Sequence, residues 1–475
     1  MAAYVPTNRR GRSPTWLVTL LTLCLGSCAY PHLDGALPLQ EPPPFTAPGE
    51  KRAPDRWWEE LENPDLDAQI SRALSGNFTL DAAWQRVIQA RTLAWQQATN
   101  LYPSVNGVAD AGGTFVEGRD LGSFGLGLDY SYEPDLWGRI QASVEAQRLR
   151  TISSHADFET TALTLSADIA STWYALVEAH AQYQLIQAQV ETNLKGVALL
   201  EARFAGGDAN TSADLLRQRQ LVDSTREQAV IVRLRIEQLE HQLAILTGQP
   251  PQDKSYRVGV ELPELPPLPS TGLPSDLLQR RPDIRREYLS LLAADREVAV
   301  AVTAQFPRLD LTASLTTAAE SPETLFRDWI ASIAGQFVAP LFNAGALRSE
   351  VRRNEAVVRQ RVAEYGQTVL VAYREVEDAL AREKYARERI ELIESQIRLA
   401  DDALQVLREQ YFAGGTDFLS VLNSTTEQQR LQRADLSTRL ELVLARIELY
   451  RSLSGGFLRE SSPPGDPSPP PFSDE

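Results

Sequence analysis

The sequence predicts a mostly α-helical, internally duplicated subunit with a membrane β-barrel portion. Three observations predict this fold class: an internal duplication, two very long helical stretches in each half, and four short segments with alternating polarity. Each half reads as a helix, two strands, a very long helix, a glycine break and another long helix. Two long helical hairpins and four strands follow. Four strands are too few to close a β-barrel, since known membrane barrels begin at about eight strands. The β-barrel, and the α-barrel formed by the hairpins, are therefore expected to close only in an oligomer, such as a trimer.

The duplication rests on landmarks that recur in the same order. They are Asn77 to Leu80 with Arg281 to Ile284, Tyr102-Pro103 with Phe306-Pro307, Pro134 with Pro340, and Phe-Ala-Gly-Gly at both 204–207 and 412–415. A repeat of roughly 200 residues is far longer than the 20–50 residues of solenoid repeats. We therefore expect two structural repeats, over residues 55–265 and 274–457.

The first 27 residues have the pattern of a signal peptide. Arg9, Arg10 and Arg12 precede an apolar run of about ten residues, too short for a mature span of ~20 residues. Leu-Gly-Ser-Cys at 25–28 has the form of a bacterial lipobox, which predicts lipidation of Cys28. The alternative is an ordinary signal peptide with an incidental cysteine. Residues 28–54 then form the lipid anchor and a proline-rich linker.

Composition excludes several functions. The only cysteines are Cys24 and Cys28, so the mature chain has no disulfide and no cysteine nucleophile. A net charge of −16 argues against a nucleic-acid partner, which needs a basic face. The four histidines lie far apart, and no metalloprotease, nucleophile-elbow or P-loop motif occurs. We predict neither enzyme activity nor a metal site nor a cofactor. The Pro- and Ser-rich tail at 459–475 is predicted to be disordered.

Four segments alternate with a period of two, at about 104–116, 121–133, 308–318 and 328–339. In the last, Trp329, Ala331, Ile333 and Phe337 share one face. Each is ~10 residues long, the length of a tilted strand that crosses an outer membrane. Two soluble hairpins packed on the helices are the alternative.

Helices are predicted at about 139–205, 211–247, 346–412 and 417–454. The first carries an apolar stripe with 3/4 spacing, typical of coiled-coil core: Leu165, Ile169, Thr172, Leu176, Ala179, Tyr183, Ile186, Val190, Leu194 and Val197. At ~1.5 Å per residue each long helix measures on the order of 100 Å. The paired glycines Gly206, Gly207, Gly414 and Gly415 fit helix ends followed by tight reversals.

Several motifs together resemble one family. They are Trp57-Trp58, the run Tyr132-Glu-Pro-Asp-Leu-Trp-Gly-Arg139, the run Pro274-Ser-Asp-Leu-Leu-Gln-Arg-Arg-Pro-Asp-Ile284, and Tyr411-Phe-Ala-Gly-Gly415. Over residues 55–457 the chain resembles the outer-membrane factors of tripartite efflux systems, the TolC superfamily, in its OprM- and NodT-like lipoprotein branch.

The resemblance implies a homotrimeric duct in the outer membrane, with a twelve-stranded barrel over a periplasmic helical barrel. A periplasmic adaptor and an inner-membrane pump would dock at its tip, and small molecules would pass through. Two alternatives stay open: a duct for type I protein secretion, and a lipid-anchored periplasmic coiled-coil scaffold without a pore.

In the family, acidic residues just past the second glycine break line the narrowest point. Here Ser420 and Asn423 stand where the family often has Asp, so a polar, uncharged constriction is the preferred interpretation. Ser420 and Asn423 lie three apart and share a helix face. Asp417, and Asp208 and Asp214 near the first break, are the further gate candidates.

Overall fold

The structure, a computed structural model, describes residues 44–46, 51–52, 54–116, 119–206, 211–252, 254–271 and 274–455. The predicted signal peptide, Cys28, most of the linker, Gly207, Asp208 and the C-terminal tail lie outside these residues. None of the helices within these ranges contains an apolar stretch long enough to cross a membrane.

Two long helical hairpins form the body of the subunit, as the fold class predicts. The long helices α3 (Arg139–Ala205) and α7 (Ala346–Phe412) each have 67 residues. Their return helices α4 (Thr211–Leu246) and α8 (Phe418–Leu453) each have 36 residues. Equal lengths in the two halves are the clearest structural sign of the duplication.

Four shorter helices pack on the hairpins. They are α1 (Pro64–Gly76), α2 (Phe78–Ala98), α5 (Pro274–Arg280) and α6 (Pro282–Thr303). Helix α2 packs on α3, and α6 packs on both α3 and α7, so the two repeats share one core. The Asn77 side chain caps α2 by accepting the backbone N–H groups of Thr79 and Leu80.

One four-stranded antiparallel sheet caps the hairpins, in the order β2 (Ser104–Val116), β3 (Arg119–Tyr132), β5 (Arg308–Ala319) and β6 (Trp329–Val338). Strand β3 joins the first repeat to β5 of the second. Within the described residues the sheet does not close, and β2 and β6 are its outer edges. A separate two-residue parallel pair joins β1 (Lys51–Arg52) to β4 (Pro269–Ser270), which the sequence patterns did not predict.

The strand register separates the sheet into an apolar and a polar face. One row across the four strands is Val105, Tyr130, Ala313 and Ile333, and the row beside it is Asn106, Asp129, Ser314 and Ser332. The Ser314 and Ser332 hydroxyls lie 2.7 Å apart, which confirms that they share a face. Ile333 is 90% exposed in the single subunit. A strand with lipid on one side and water on the other has this pattern.

Candidate functional site: the helical tip

The two hairpin reversals bring four helix ends together at one tip. Its core is an apolar cluster from all four helices, in which Leu200, Leu404, Phe418 and Val421 are buried and Leu215, Leu407, Tyr411 and Leu422 pack around them. Leu200 belongs to the first hairpin and Phe418 to the second. The tip is therefore an apolar joint between the two hairpins, as well as two chain reversals.

The two identical Phe-Ala-Gly-Gly segments differ in backbone conformation at their first glycine, the last described residue of the first segment. Gly414 has φ +77°, a left-handed conformation that favours glycine, and the N–H of Gly415 donates to Gln410 at 2.8 Å. Gly206 instead has φ −73° and continues the helical bonding, donating to Ala202 at 3.1 Å. Any residue can adopt that angle, so the backbone conformation of Gly206 does not by itself require glycine.

Asp417 begins helix α8. Its Oδ1 accepts the Ser420 backbone N–H at 2.9 Å and the Ser420 hydroxyl at 2.7 Å. These hydrogen bonds from Ser420 favour the charged form and hold the pKa of Asp417 below its usual range. Asp417 is thus an N-cap that stays ionised, and its side chain is exposed.

The pKa of Asp214, in the first turn of α4, shifts in the opposite direction. Burial raises the pKa of this carboxyl; Arg217 at 3.3 Å opposes the rise, and the nearby negative charge of Asp417 adds to it. The two carboxylates therefore repel each other across the two reversals. Of the other predicted residues, Ser420 is half-buried against Asp417, Asn423 is exposed, and Asp208 lies outside the described residues.

Two residues that the motif analysis did not single out join the reversals directly. The Arg203 guanidinium carbon lies 4.8 Å from the centre of the Tyr411 ring, a cation–π contact. Each residue immediately precedes its copy of Phe-Ala-Gly-Gly. The same position in the two repeats thus supplies the cation in one and the ring in the other. Comparing the residue before each motif could have revealed this pair.

Above the tip, a polar seam links α3 to α8. Asn193 and Gln429 exchange amide hydrogen bonds of 3.0 and 3.4 Å, and Gln189 donates to Gln432 at 3.0 Å. Asn193 is 1% exposed, whereas Leu194, predicted as core, is 41% exposed. The predicted stripe is wrong there because the buried position is filled by the Asn193 amide, whose hydrogen bonds are satisfied by Gln429 of the second hairpin and Thr225 of the first.

The described part of the tip contains no cluster of side chains typical of catalysis. Among the described residues, no three His, Cys, Asp or Glu side chains gather closely enough to hold a metal ion. What the tip offers is an apolar joint, one cation–π contact and a pair of repelling carboxylates. Such an arrangement can hold helix ends together and can change when charge changes.

Comparison with known proteins identifies the group to which this fold belongs. The sequence model of the family described as "Outer membrane efflux protein" matches residues 69–249 and 273–455. The pyoverdine export outer membrane protein OpmQ of Pseudomonas aeruginosa is 29% identical over 465 residues, covering 93% of this chain and 97% of that protein.

Solved structures agree with the sequence comparison. The outer-membrane channel OprN superposes with a TM-score of 0.81 at 28% identity, over 89% of this chain and 98% of that one. The open state of the MtrE outer membrane channel of Neisseria gonorrhoeae gives 0.79 at 25% identity, over 89% and 96%.

Proposed function

Because the chain belongs to the outer membrane efflux protein family, we propose that it forms the exit duct of a tripartite efflux system and carries small molecules across the periplasm and the outer membrane. One observation carries the proposal. An open sheet with one apolar and one polar face stands on two helical hairpins of on the order of 100 Å. In lipid each unpaired backbone group costs several kcal/mol, so the sheet must be closed by other copies.

Three copies would supply twelve strands, which is enough to close a barrel with a water-filled lumen. The polar rows would face that lumen, and the helical hairpins would continue it into the periplasm. We propose a homotrimer, anchored in addition by acylation of Cys28. A periplasmic adaptor and an inner-membrane pump would engage the tip. The duct itself would have no enzymatic activity, because its work is passive conduction.

The tip is the proposed gate. The apolar cluster and the Arg203–Tyr411 contact would hold the helix ends together, and Asp214 and Asp417 would supply the charge that passing ions meet. The sequence favoured an uncharged constriction of Ser420 and Asn423. The hydrogen bonds from Ser420 that keep Asp417 ionised support a charged tip instead. Asp208, Gly207 and the acylated Cys28 remain predictions from sequence.

Ion selectivity in planar bilayers tests this proposal. The purified oligomer should give discrete channels whose reversal potential in a salt gradient shows cation preference, and Asp417→Asn should reduce that preference. Asn is nearly as good an N-cap as Asp, so the helix start is retained while the charge is lost. Asp417→Ala loses both, and its channels should also be noisier. Inserted protein that never conducts would contradict the duct.

Acid should tighten the tip. Burial raises the pKa of Asp214 in the described arrangement of helix ends, so protonation favours this arrangement over one that exposes the carboxyl to water. That contribution is fully present below the ordinary carboxyl pKa and disappears as pH rises through the raised pKa. Resting conductance should therefore fall as pH is lowered from neutral toward the range just above the ordinary carboxyl pKa. Asp214→Asn should remove the response. A variant that keeps the full pH response would show that another group is responsible.

A further inference from the structure

A pocket of about 540 Å³ lies near the middle of the long helix α7, between three helices of one subunit. Ser171 of α3, Tyr385 of α7 and Leu444 of α8 line it, together with the buried alanines Ala386 and Ala445. The remaining lining residues are charged: Arg382, Arg389, Glu441 and Glu448. A cavity of this size, with apolar walls and a few polar groups, is typical of a site for a small molecule. We call it the mid-tube pocket.

On α8, the mid-tube pocket lies on the side opposite the inter-repeat linker. The Arg446 guanidinium donates to the Pro266 carbonyl, so the linker covers that side of the helix. Leu444 and Glu448, which line the pocket, are each two residues from Arg446. Two residues are about 200° around an α-helix, so the pocket and the linker lie on opposite sides of α8.

The N-terminal linker shows which of these sides is the outer one. The Phe45 ring lies 6.3 Å from the Tyr373 ring of α7, and the Thr46 hydroxyl donates to Glu377 at 2.6 Å. In the proposed duct this linker starts at an acyl group in the outer membrane, so it runs outside the tube. Arg382 is nine residues after Tyr373, half a turn away around the helix. The mid-tube pocket therefore faces the lumen, a step that rests on the proposed function.

Arg382 supplies the uncommitted charge of the pocket. Of the two carboxylates in the lining, Glu441 is paired with Arg389, and Glu448 accepts two hydrogen bonds from Arg451. Arg382 is exposed and makes no hydrogen bond or ion pair within the part of the chain that the structure describes. Hydrogen bonds from Arg451 lower the pKa of Glu448, and the charge of Arg382 adds to this effect at a distance.

Tyr385 places an aromatic ring beside this charge. Arg382 and Tyr385 are three residues apart, so they share one side of α7. Tyr385 is 58% exposed, and the Lys384 ammonium group lies 5.3 Å from the centre of its ring. A planar aromatic carboxylate fits such a site, because its ring can stack on tyrosine while its two oxygens accept parallel N–H bonds from a guanidinium group.

We infer that the mid-tube pocket binds small aromatic carboxylates on their way through the lumen, with Arg382 holding the carboxylate and Tyr385 stacking on the ring. The carboxylates of the proposed gate repel anions. A site for anions above the gate would offset that repulsion for this class of cargo. In the proposed trimer, three such pockets would lie at one level of the lumen.

Equilibrium dialysis against 2-naphthoate tests the site on the full-length acylated protein in lipid nanodiscs, with empty nanodiscs subtracted. The unaltered protein should bind one naphthoate per subunit. Arg382→Gln should weaken binding about tenfold, because hydrogen bonds between charged groups are strong. Tyr385→Ala should weaken binding about fivefold through loss of stacking. Cyclohexanecarboxylate, which has the charge without the aromatic ring, should bind the unaltered protein about fivefold more weakly than naphthoate.

Two variants of the same helix are the controls. Arg398→Gln removes an exposed arginine outside the pocket, and Leu399→Ala shortens a side chain that is 66% exposed and also lies outside it. Both should leave the affinity for naphthoate nearly unchanged. If Arg398→Gln weakens binding as much as Arg382→Gln, only general charge attraction is at work and the site is wrong. Absence of binding above the level of empty nanodiscs would overturn it as well.

Planar bilayers separate a failure of the site from a failure of the duct. Naphthoate should interrupt the current through single channels, and Arg382→Gln should remove the interruptions while the channels still conduct. Channels that conduct without any effect of naphthoate overturn the lumenal site and leave the duct standing. Inserted protein that binds naphthoate but never conducts overturns the lumenal placement together with the duct.

Discussion

Replacing Arg446 by alanine should destabilise the folded subunit by about 3–5 kcal/mol, the cost of breaking a buried ion pair on one side. Arg446 is 0% and Glu383 2% exposed. The guanidinium holds the Glu383 carboxylate with bonds of 2.6 and 2.9 Å and also donates to the Pro266 carbonyl at 2.7 Å. Without it, the buried Glu383 carboxylate is left with the half-exposed Arg387, which donates to it at 2.9 Å, and the Pro266 carbonyl of the inter-repeat linker loses the Arg446 donor.

The matched control lies on the same pair of helices. Arg389 pairs with Glu441, but each side chain is 54% exposed, so Arg389→Ala should cost no more than about 1 kcal/mol. Denaturant unfolding followed by tryptophan fluorescence compares the two, since Trp57 stacks on Tyr450, one turn from Arg446. If Arg446→Ala and Arg389→Ala lower the free energy of unfolding equally, the buried ion pair of Arg446 does not stabilise the subunit more than an exposed pair.

A double change separates charge from packing. Arg446→Met with Glu383→Leu removes both charges, so it should recover much of the stability that Arg446→Ala loses. Recovery should be incomplete, because the Pro266 carbonyl still lacks a donor and such a buried group costs about 1–3 kcal/mol. Full recovery of the stability would mean that the hydrogen bond from Arg446 to the Pro266 carbonyl does not stabilise the subunit.

Replacing Phe418 by alanine should loosen the tip and raise the resting permeability of the duct. Phe418 is 9% exposed within the apolar cluster, and its ring centre lies 5.5 Å from that of Tyr411. Emptying such a site costs about 3 kcal/mol. If half of that cost falls on the joint between hairpins, the balance between joined and separated helix ends shifts about tenfold.

Osmotic swelling of proteoliposomes in neutral sugars measures this permeability. Phe412→Ala is the control, since Phe412 is also at the tip but is 61% exposed. Its swelling rate should stay close to that of the unaltered protein, while Phe418→Ala should be several-fold faster. Equal rates in the two variants, at equal amounts of inserted oligomer, would show that the cluster does not hold the tip together.

Periodicity in the sequence was enough to predict the hairpins and the four strands, because burial on one face constrains many consecutive residues. It did not predict the β1–β4 pair, since two residues carry no period. Nor did it single out Arg446, because a charged residue on a coiled coil is usually solvated. The buried guanidinium donates to the Pro266 carbonyl, which the linker brings from far along the chain.

At the tip, the motif located the reversals but not the roles of the side chains. Asp417 three residues before Ser420 is an N-cap pattern that local rules could have identified. The Arg203–Tyr411 contact joins residues about 200 positions apart, so it depends on how the hairpins pack. The opposite pKa shifts of Asp214 and Asp417 likewise require their mutual position.

The central claim is that the open four-stranded sheet is one part of a closed barrel above a helical tube. Electron cryo-microscopy of the detergent-purified, full-length protein tests it most directly. The account predicts a ring of three copies in which twelve strands enclose one lumen that continues between the helical hairpins to the tip. Single subunits, or an oligomer whose sheets remain open and pack against helices without a common lumen, would contradict it.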